Sequence, residues 1–109
     1  MDTVNVHTTA REHLEQAATS GGGRSAATLF GGHENTLRQT VIAIRAGREL
    51  AEHESPGEAT LLVLTGHVRL DSGETSWEGR DGDLLVIPDA RHSLHAVEDA
   101  AVLLTVAKQ

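Results

Sequence analysis

Two histidines about forty residues apart are the side chains of this sequence best suited to chemistry. His53 opens the run His53-Glu54-Ser55-Pro56-Gly57-Glu58, and His92 follows the run Gly82-Asp83-Leu84-Leu85-Val86-Ile87-Pro88. Imidazole is a neutral ligand for transition metals and a hydrogen-bonding partner for small molecules. A histidine on one β-strand, paired through the fold with one on a later hairpin, lets a small barrel gather both at one interior site. Two neutral imidazoles alone bind divalent metals weakly, and a third ligand is what separates a metal site from a coincidence. The competing reading of each is a rim histidine hydrogen-bonded to a backbone carbonyl, with no ligand role.

The neighbours of this pair sort by strand parity. Glu52 and Glu54 flank His53 with opposite parity and read as a solvated acidic edge. Glu49 and Ala51 share the parity of His53, which makes an interior carboxylate one reading of Glu49, with a place at the rim, near the strand start, as the favoured one. His95 has parity opposite to His92 and is read as outward. His67, directly after Gly66, is expected at the surface, and His7, His13 and His33 carry no assigned role. Trp77 is the single tryptophan, expected to pack over an apolar strand, with a stacking platform for a ring-shaped ligand as the alternative. No Gly-x-Ser-x-Gly elbow, Walker loop or dinucleotide fingerprint is present.

The elements that must position these residues are mostly strands. Thr9 and Glu12 have capping-box spacing, so a short helix is expected over about Ala10 to Thr19, with Ala10, Leu14, Ala17 and Ala18 on one face. Gly21-Gly22-Gly23 ends it. A glycine triplet can cradle a phosphate at a helix N-terminus, but no helix pattern follows, so it is read as a flexible connector. Strands are then predicted at Ser25–Phe30, Leu37–Ile44, Glu49–Glu54, Thr60–Leu64, Val68–Leu70, Ser76–Glu78, Leu84–Ile87, Ser93–Val97 and Val102–Ala107. The near-continuous apolar run Thr60–Leu64 is the pattern of a strand covered on both sides. On Leu37–Ile44, either Gln39 with Val41 or Thr40 with Ile42 lines the interior. Many short strands with polar or glycine-bearing turns indicate an all-β sandwich or closed barrel. Residues 1–24 form the helix and linker, and residues 25–109 the barrel domain.

Composition narrows the class further. With 109 residues the chain builds one core, and with one Phe, one Trp and no Tyr that core consists of Leu, Val, Ile and Ala. A formal charge of −7 disfavours nucleic acid and anionic lipid. No segment has the roughly twenty apolar residues of a membrane span, and the initial residues lack the basic start and apolar run of a secretory signal. A cytoplasmic location is expected. The absence of cysteine excludes disulfides, thiolate catalysis and cysteine-type zinc sites.

The stretches Gly47–Gly66 and Gly82–His92 resemble the two motifs of the cupin superfamily. Gly47 is followed by five residues and then His53, Gly66 closes the first motif, and Gly82, Pro88 and His92 outline the second. The resemblance spans about Leu37 to Val106. It implies a jelly-roll β-barrel, a homodimer formed through an outer sheet, and a metal site of three imidazoles and one carboxylate suited to Zn, Fe, Mn, Ni or Cu. The match is incomplete. Ser55 stands at the second histidine of the first motif, Ala59 or Thr60 at the acid, with Glu58 one or two places early. Ser93 stands at the usual histidine of the second motif, with His92 one place short. A turn shortened by one residue at Asp89-Ala90-Arg91 aims His92 inward; without that shortening, Ser93 and His95 form the inward pair.

These residues imply a cavity lined by His53, His92, Ser55 and Trp77, with His53 and His92 as the metal candidates and His95 or Glu58 as the additional ones. Three functions compete. The first is a small-molecule-binding barrel with a degraded or absent metal site. The second is a metal-dependent enzyme of dioxygenase or isomerase type using His53 and His92. The third is a dimeric structural or sensory module.

Overall fold

The computed structural model describes residues 3–54 and 57–108. Ser55 and Pro56 fall between these two stretches and so lie outside the described residues. The chain runs as helix α1 (Val6–Thr19), then strands β1 (Arg24–Phe30), β2 (Leu37–Ile44), β3 (Glu49–His53), β4 (Gly57–Thr65) and β5 (His67–Ser72). It continues through β6 (Thr75–Arg80), β7 (Leu84–Val86), β8 (His92–Ala96) and β9 (Ala100–Lys108). The strands form two antiparallel sheets, one ordered β1-β2-β9-β4-β7 and the other β3-β8-β5-β6. This is a jelly-roll barrel with one N-terminal helix. No helix among the described residues is long and apolar enough to cross a membrane.

Alternation along each strand builds the core. On β4, Ala59, Leu61 and Val63 are buried. Leu61 and Val63 join Ile44, Val68, Leu70, Leu94, Ala96, Ala100 and Val102 between the sheets. Ile42 packs against this cluster whereas Val41 packs on the opposite side, so β2 turns Thr40 and Ile42 inward. Gly79 on β6 sits where a side chain would meet Val63 of β4 at 3.1 Å and Leu85 of β7 at 3.2 Å, so a bare backbone lets the sheets close.

The apolar run of β4 has a second cause. Leu64 points to the opposite face and packs, with Leu14, Leu29 and Leu103, against a second cluster of Ala10, Val41 and Ala101. Helix α1 thus covers part of the outer face of the five-stranded sheet. Ala10 and Ala17 are buried in that contact, and His13 and Gln16 both meet the Ser25 hydroxyl of β1, at 2.6 and 3.1 Å. Ala18 is exposed, because the buried stripe runs through positions 10, 14 and 17. The expected cap is also displaced. Asn5 is the N-cap, its side-chain oxygen accepting from the Thr8 N–H at 3.0 Å, so the helix begins at Val6 instead of near Ala10.

Gly47, Gly66 and Gly82 all take positive φ, at 83°, 99° and 85°. At Gly66 the reason is double. The turn needs the left-handed region, and a Cβ there would lie 2.3 Å from the Asp99 carbonyl oxygen and 2.7 Å from the Ala100 Cα. The β4–β5 turn therefore packs directly on the β8–β9 turn.

Candidate functional site

Strands β3 and β8 pair antiparallel, and their register sets the geometry of the site. Leu50 opposes Leu94 and His53 opposes His92, so three steps on β3 match two on β8. This is a bulge, one extra residue on β3. It reverses the parity of β3, placing His53 on the same face as Leu50 even though the two are an odd number of residues apart. On β8, His92, Leu94 and Ala96 are the buried positions, and Leu94 and Ala96 belong to the core. His53 and His92 therefore share the inner face. Their rings meet edge to face, with centroids 4.4 Å apart and planes at 65°.

Both rings are held in the same way. The His53 Nδ1–H donates to the Ala51 carbonyl at 2.9 Å, and the His92 Nδ1–H donates to the Ala90 carbonyl at 2.8 Å. A carbonyl oxygen only accepts, so each Nδ1 must carry a proton, and in the neutral ring Nε2 then bears the lone pair. Neither Nε2 has a hydrogen-bond partner among the described residues. His92 is only 3 % exposed, while His53 stands at the exposed rim. The carbonyl bonds are those of the rim reading, yet they occupy one nitrogen of each ring and leave the other free.

Register also locates the remaining candidates. Leu50, Leu94, Leu70 and Trp77 form a cross-strand row on the inner face, and His53 and His92 lie one row further on, at the end of β3 and the start of β8. Trp77, at the β6 edge, is 39 % exposed. Glu58 has parity opposite to Ala59 and Leu61 and lies on the outer face of the five-stranded sheet, away from both imidazoles. Ser55 is outside the described residues.

His95 and Glu49 do not join the pair either. They oppose each other on the outer face of the four-stranded sheet, where His95 Nδ1 lies 3.0 Å from Glu49 Oε2 and Nε2 lies 3.1 Å from Asp71 Oδ2. Glu49 does not take the interior place that parity with His53 left open to it, because the bulge intervenes between the two. His67, expected at the surface, is buried to 6 % exposure. Its Nε2 lies 2.6 Å from Glu78 on β6, and the turn after β8 folds over it, with Val97 and Glu98 N–H donating to its carbonyl.

This outer face is a polar network spanning all four strands. Arg69 donates to both Asp71 oxygens, at 2.9 Å from Nε and 3.1 Å from Nη2, and the Ser76 hydroxyl donates to Asp71 at 2.7 Å. The Arg69 hydrogen bonds, followed by that of Ser76, hold the Asp71 carboxyl below its ordinary pKa against the opposing effect of burial. At the rim, Arg91 Nε lies 2.9 Å from Glu52 Oε1, and this bond raises the guanidinium pKa. The Ser72 hydroxyl donates to the Arg91 carbonyl at 2.7 Å. Glu52, read as a solvated edge, is thus one half of a clamp between β3 and the segment that presents His92. Arg69 and Asp71, opposite charges two apart on one strand, were the available sequence signal for the network; nothing local marked Arg91 or Ser72.

The described residues supply two imidazoles and contain no group of three metal-ligating side chains. The donor set does not fit a site closed by protein ligands of the three-imidazole, one-carboxylate kind.

No family model matches the chain, and no curated protein matches it by sequence. Solved structures do. A conserved protein of unknown function from Streptococcus pyogenes is 28% identical, with a TM-score of 0.73 over 83% of this chain and 78% of that one. An RmlC-like cupin protein from Desulfovibrio desulfuricans is 26% identical, with a TM-score of 0.67 over 77% and 81%. Salicylate 1,2-dioxygenase from Pseudoaminobacter salicylatoxidans, in complex with gentisate, is 21% identical with a TM-score of 0.79. Its match covers 95% of this chain and 33% of the dioxygenase chain. The shared architecture makes this chain a cupin by fold.

Proposed function

We propose that the chain binds a small molecule at the open end of the barrel, with His53 and His92 as its polar contacts. The observation carrying this reading is the pair of Nε2 atoms left free when each Nδ1 is tied to a backbone carbonyl. Two fixed acceptors on the same sheet face as the partly exposed Leu50 and Trp77, with Leu94 and Leu70 buried between them, suit a ligand with one apolar face and hydrogen-bond donors on its edge. The dioxygenase bound to gentisate makes hydroxylated aromatic acids the first compounds to try. Binding at a hundredfold excess over Kd stabilises a fold by about 2.7 kcal/mol, a Tm rise of about 10 °C or more for a domain of this size. Melting of the wild type and of a His53→Ala/His92→Ala variant against such compounds tests the reading. A shift confined to the wild type supports it, and an equal shift in both proteins, or none in either, overturns it.

A second reading, metal held by the same two imidazoles with water completing the shell, is favoured by the tautomer itself. A backbone carbonyl on Nδ1 orients Nε2 as a ligand in many histidine sites. Transition-metal content of untagged protein, compared with the double variant, separates the two readings. The exposed Leu84 and Val86 on edge strand β7 support pairing of two copies through the five-stranded sheet. The acidic charge and the lack of cysteine support a cytoplasmic location.

A further inference from the structure

At the end of the barrel remote from the histidines, Arg24, Arg45 and Arg48 lie near two acids, Glu49 and Asp99, the carboxylate of Asp99 accepting from the Ala46 N–H at 2.8 Å. A concavity of about 400 Å³ there is lined by Gly22, Arg24, Gly47, Arg48 and Glu49. Both arginines are held in place. Arg24 Nη1 donates to the Glu49 carbonyl at 3.0 Å. The Arg48 stem lies over Gly23, where a Cβ would come within 2.7 Å of Arg48 Cγ. Neither guanidinium has a carboxylate partner among the described residues, in contrast to Arg69 and Arg91. Glu49, the one acid in the lining, turns its carboxylate to His95 at 3.0 Å. Arg45 begins the tight turn that ends in Arg48, whose N–H donates to the Arg45 carbonyl at 3.0 Å, and adds a third positive charge to this end.

The Arg24 guanidinium, anchored on the Glu49 carbonyl, and the exposed Arg48 guanidinium border one concavity and can both reach an anion placed in it. Their planar forks match an anion with several oxygens better than a single-point acceptor. The Gly22 and Gly47 N–H groups already donate, to the Ser20 hydroxyl at 3.3 Å and the Ala96 carbonyl at 2.8 Å, so these turns contribute open space without a side chain and the arginines supply the donors. No helix N-terminus is needed, because the arginines supply the positive field. The volume exceeds that of inorganic phosphate and leaves space for an attached organic group.

We propose that Arg24, Arg48 and the turns at Gly22 and Gly47 form a binding site for the phosphate group of a small phosphorylated compound, separate from the two-histidine mouth. Glu49 at this end and His53 at the other are four residues apart on β3, about 13 Å along the strand. The net charge of −7 keeps polyanions away from the rest of the surface and leaves this concavity for a small anion.

Titration with inorganic pyrophosphate, followed by backbone amide NMR, tests the site. The expected result is saturable movement of the Gly22 and Gly47 amides, weakened by added salt. Arg24→Gln and Arg48→Gln each weaken binding about tenfold, the loss of one charge-assisted contact. Arg48→Lys keeps the stem and the charge but loses the fork, and falls between Arg48→Gln and wild type. Arg38→Gln, which removes a cation outside the concavity, changes binding less than about twofold. Equal weakening by the Arg38 variant, amide shifts centred elsewhere, or no saturation at millimolar pyrophosphate overturns the proposal.

Discussion

Asp71→Asn should cost stability at neutral pH and nothing in acid, and the structure gives both the size and the sign. The Asp71 carboxylate accepts from Arg69 and Ser76 and faces His95, which in turn meets Glu49. One carboxylate thereby links β5 to β6, β8 and, through His95, to β3. A hydrogen bond to a charged group contributes about 1.5–3 kcal/mol where solvent is excluded. Asp71 retains 25 % side-chain exposure, and screening reduces the expected loss to about 1 kcal/mol. For a domain of this length that corresponds to a Tm fall of about 4–8 °C at pH 7. The carboxyl pKa is lowered in the folded state. Its stabilisation is therefore complete above the unfolded carboxylate pKa and is lost as pH falls through the lower folded value. Thermal melting of wild type and Asp71→Asn from pH 7 down to pH 3 should show the two Tm values converging in acid. A gap that stays constant across this range, or no gap at pH 7, would refute the electrostatic account. The result bears on function, because the same four strands carry His53 and His92 on their other face.

Other substitutions test the packing that supports the site. Leu70→Ala removes a side chain 2 % exposed at the centre of the inner row, and should cost about 2–5 kcal/mol in a denaturant titration. A loss below about 1 kcal/mol would mean that this row is loosely packed. Gly66→Ala forces a Cβ to within 2.3 Å of the Asp99 carbonyl at a φ of +99°. Strain of that kind costs about 1–3 kcal/mol before the clash is counted, whereas Gly21→Ala, with nothing within 4 Å, should be nearly neutral in the same melting experiment.

Local pattern was enough to read the nine strands. β2 runs over Leu37–Ile44 as its β-branched composition predicts, and β4 is an apolar run because Leu61 and Val63 enter the core while Leu64 joins the cluster on the other face. The spacing of Gly47, His53, Gly66, Gly82 and His92 also belongs to the linear sequence, and with it the pairing of two histidines as a marker of one barrel end. Three features did not. The bulge between Leu50 and His53 exists only against β8, since an extra residue is defined by the strand it faces. It put His53 inward and Glu49 outward, reversing a parity argument that assumed an uninterrupted pleat. His67 became buried because Glu78 and the turn after β8 close over it, contacts made by residues distant in sequence. Arg24 and Arg48 meet at one concavity because β1 and the turn before β3 end side by side. Alternation and turn chemistry are properties of neighbouring residues and can be read along the chain. Register, burial of polar groups and the convergence of charges depend on which strands lie next to one another, and only the folded sheets decide that.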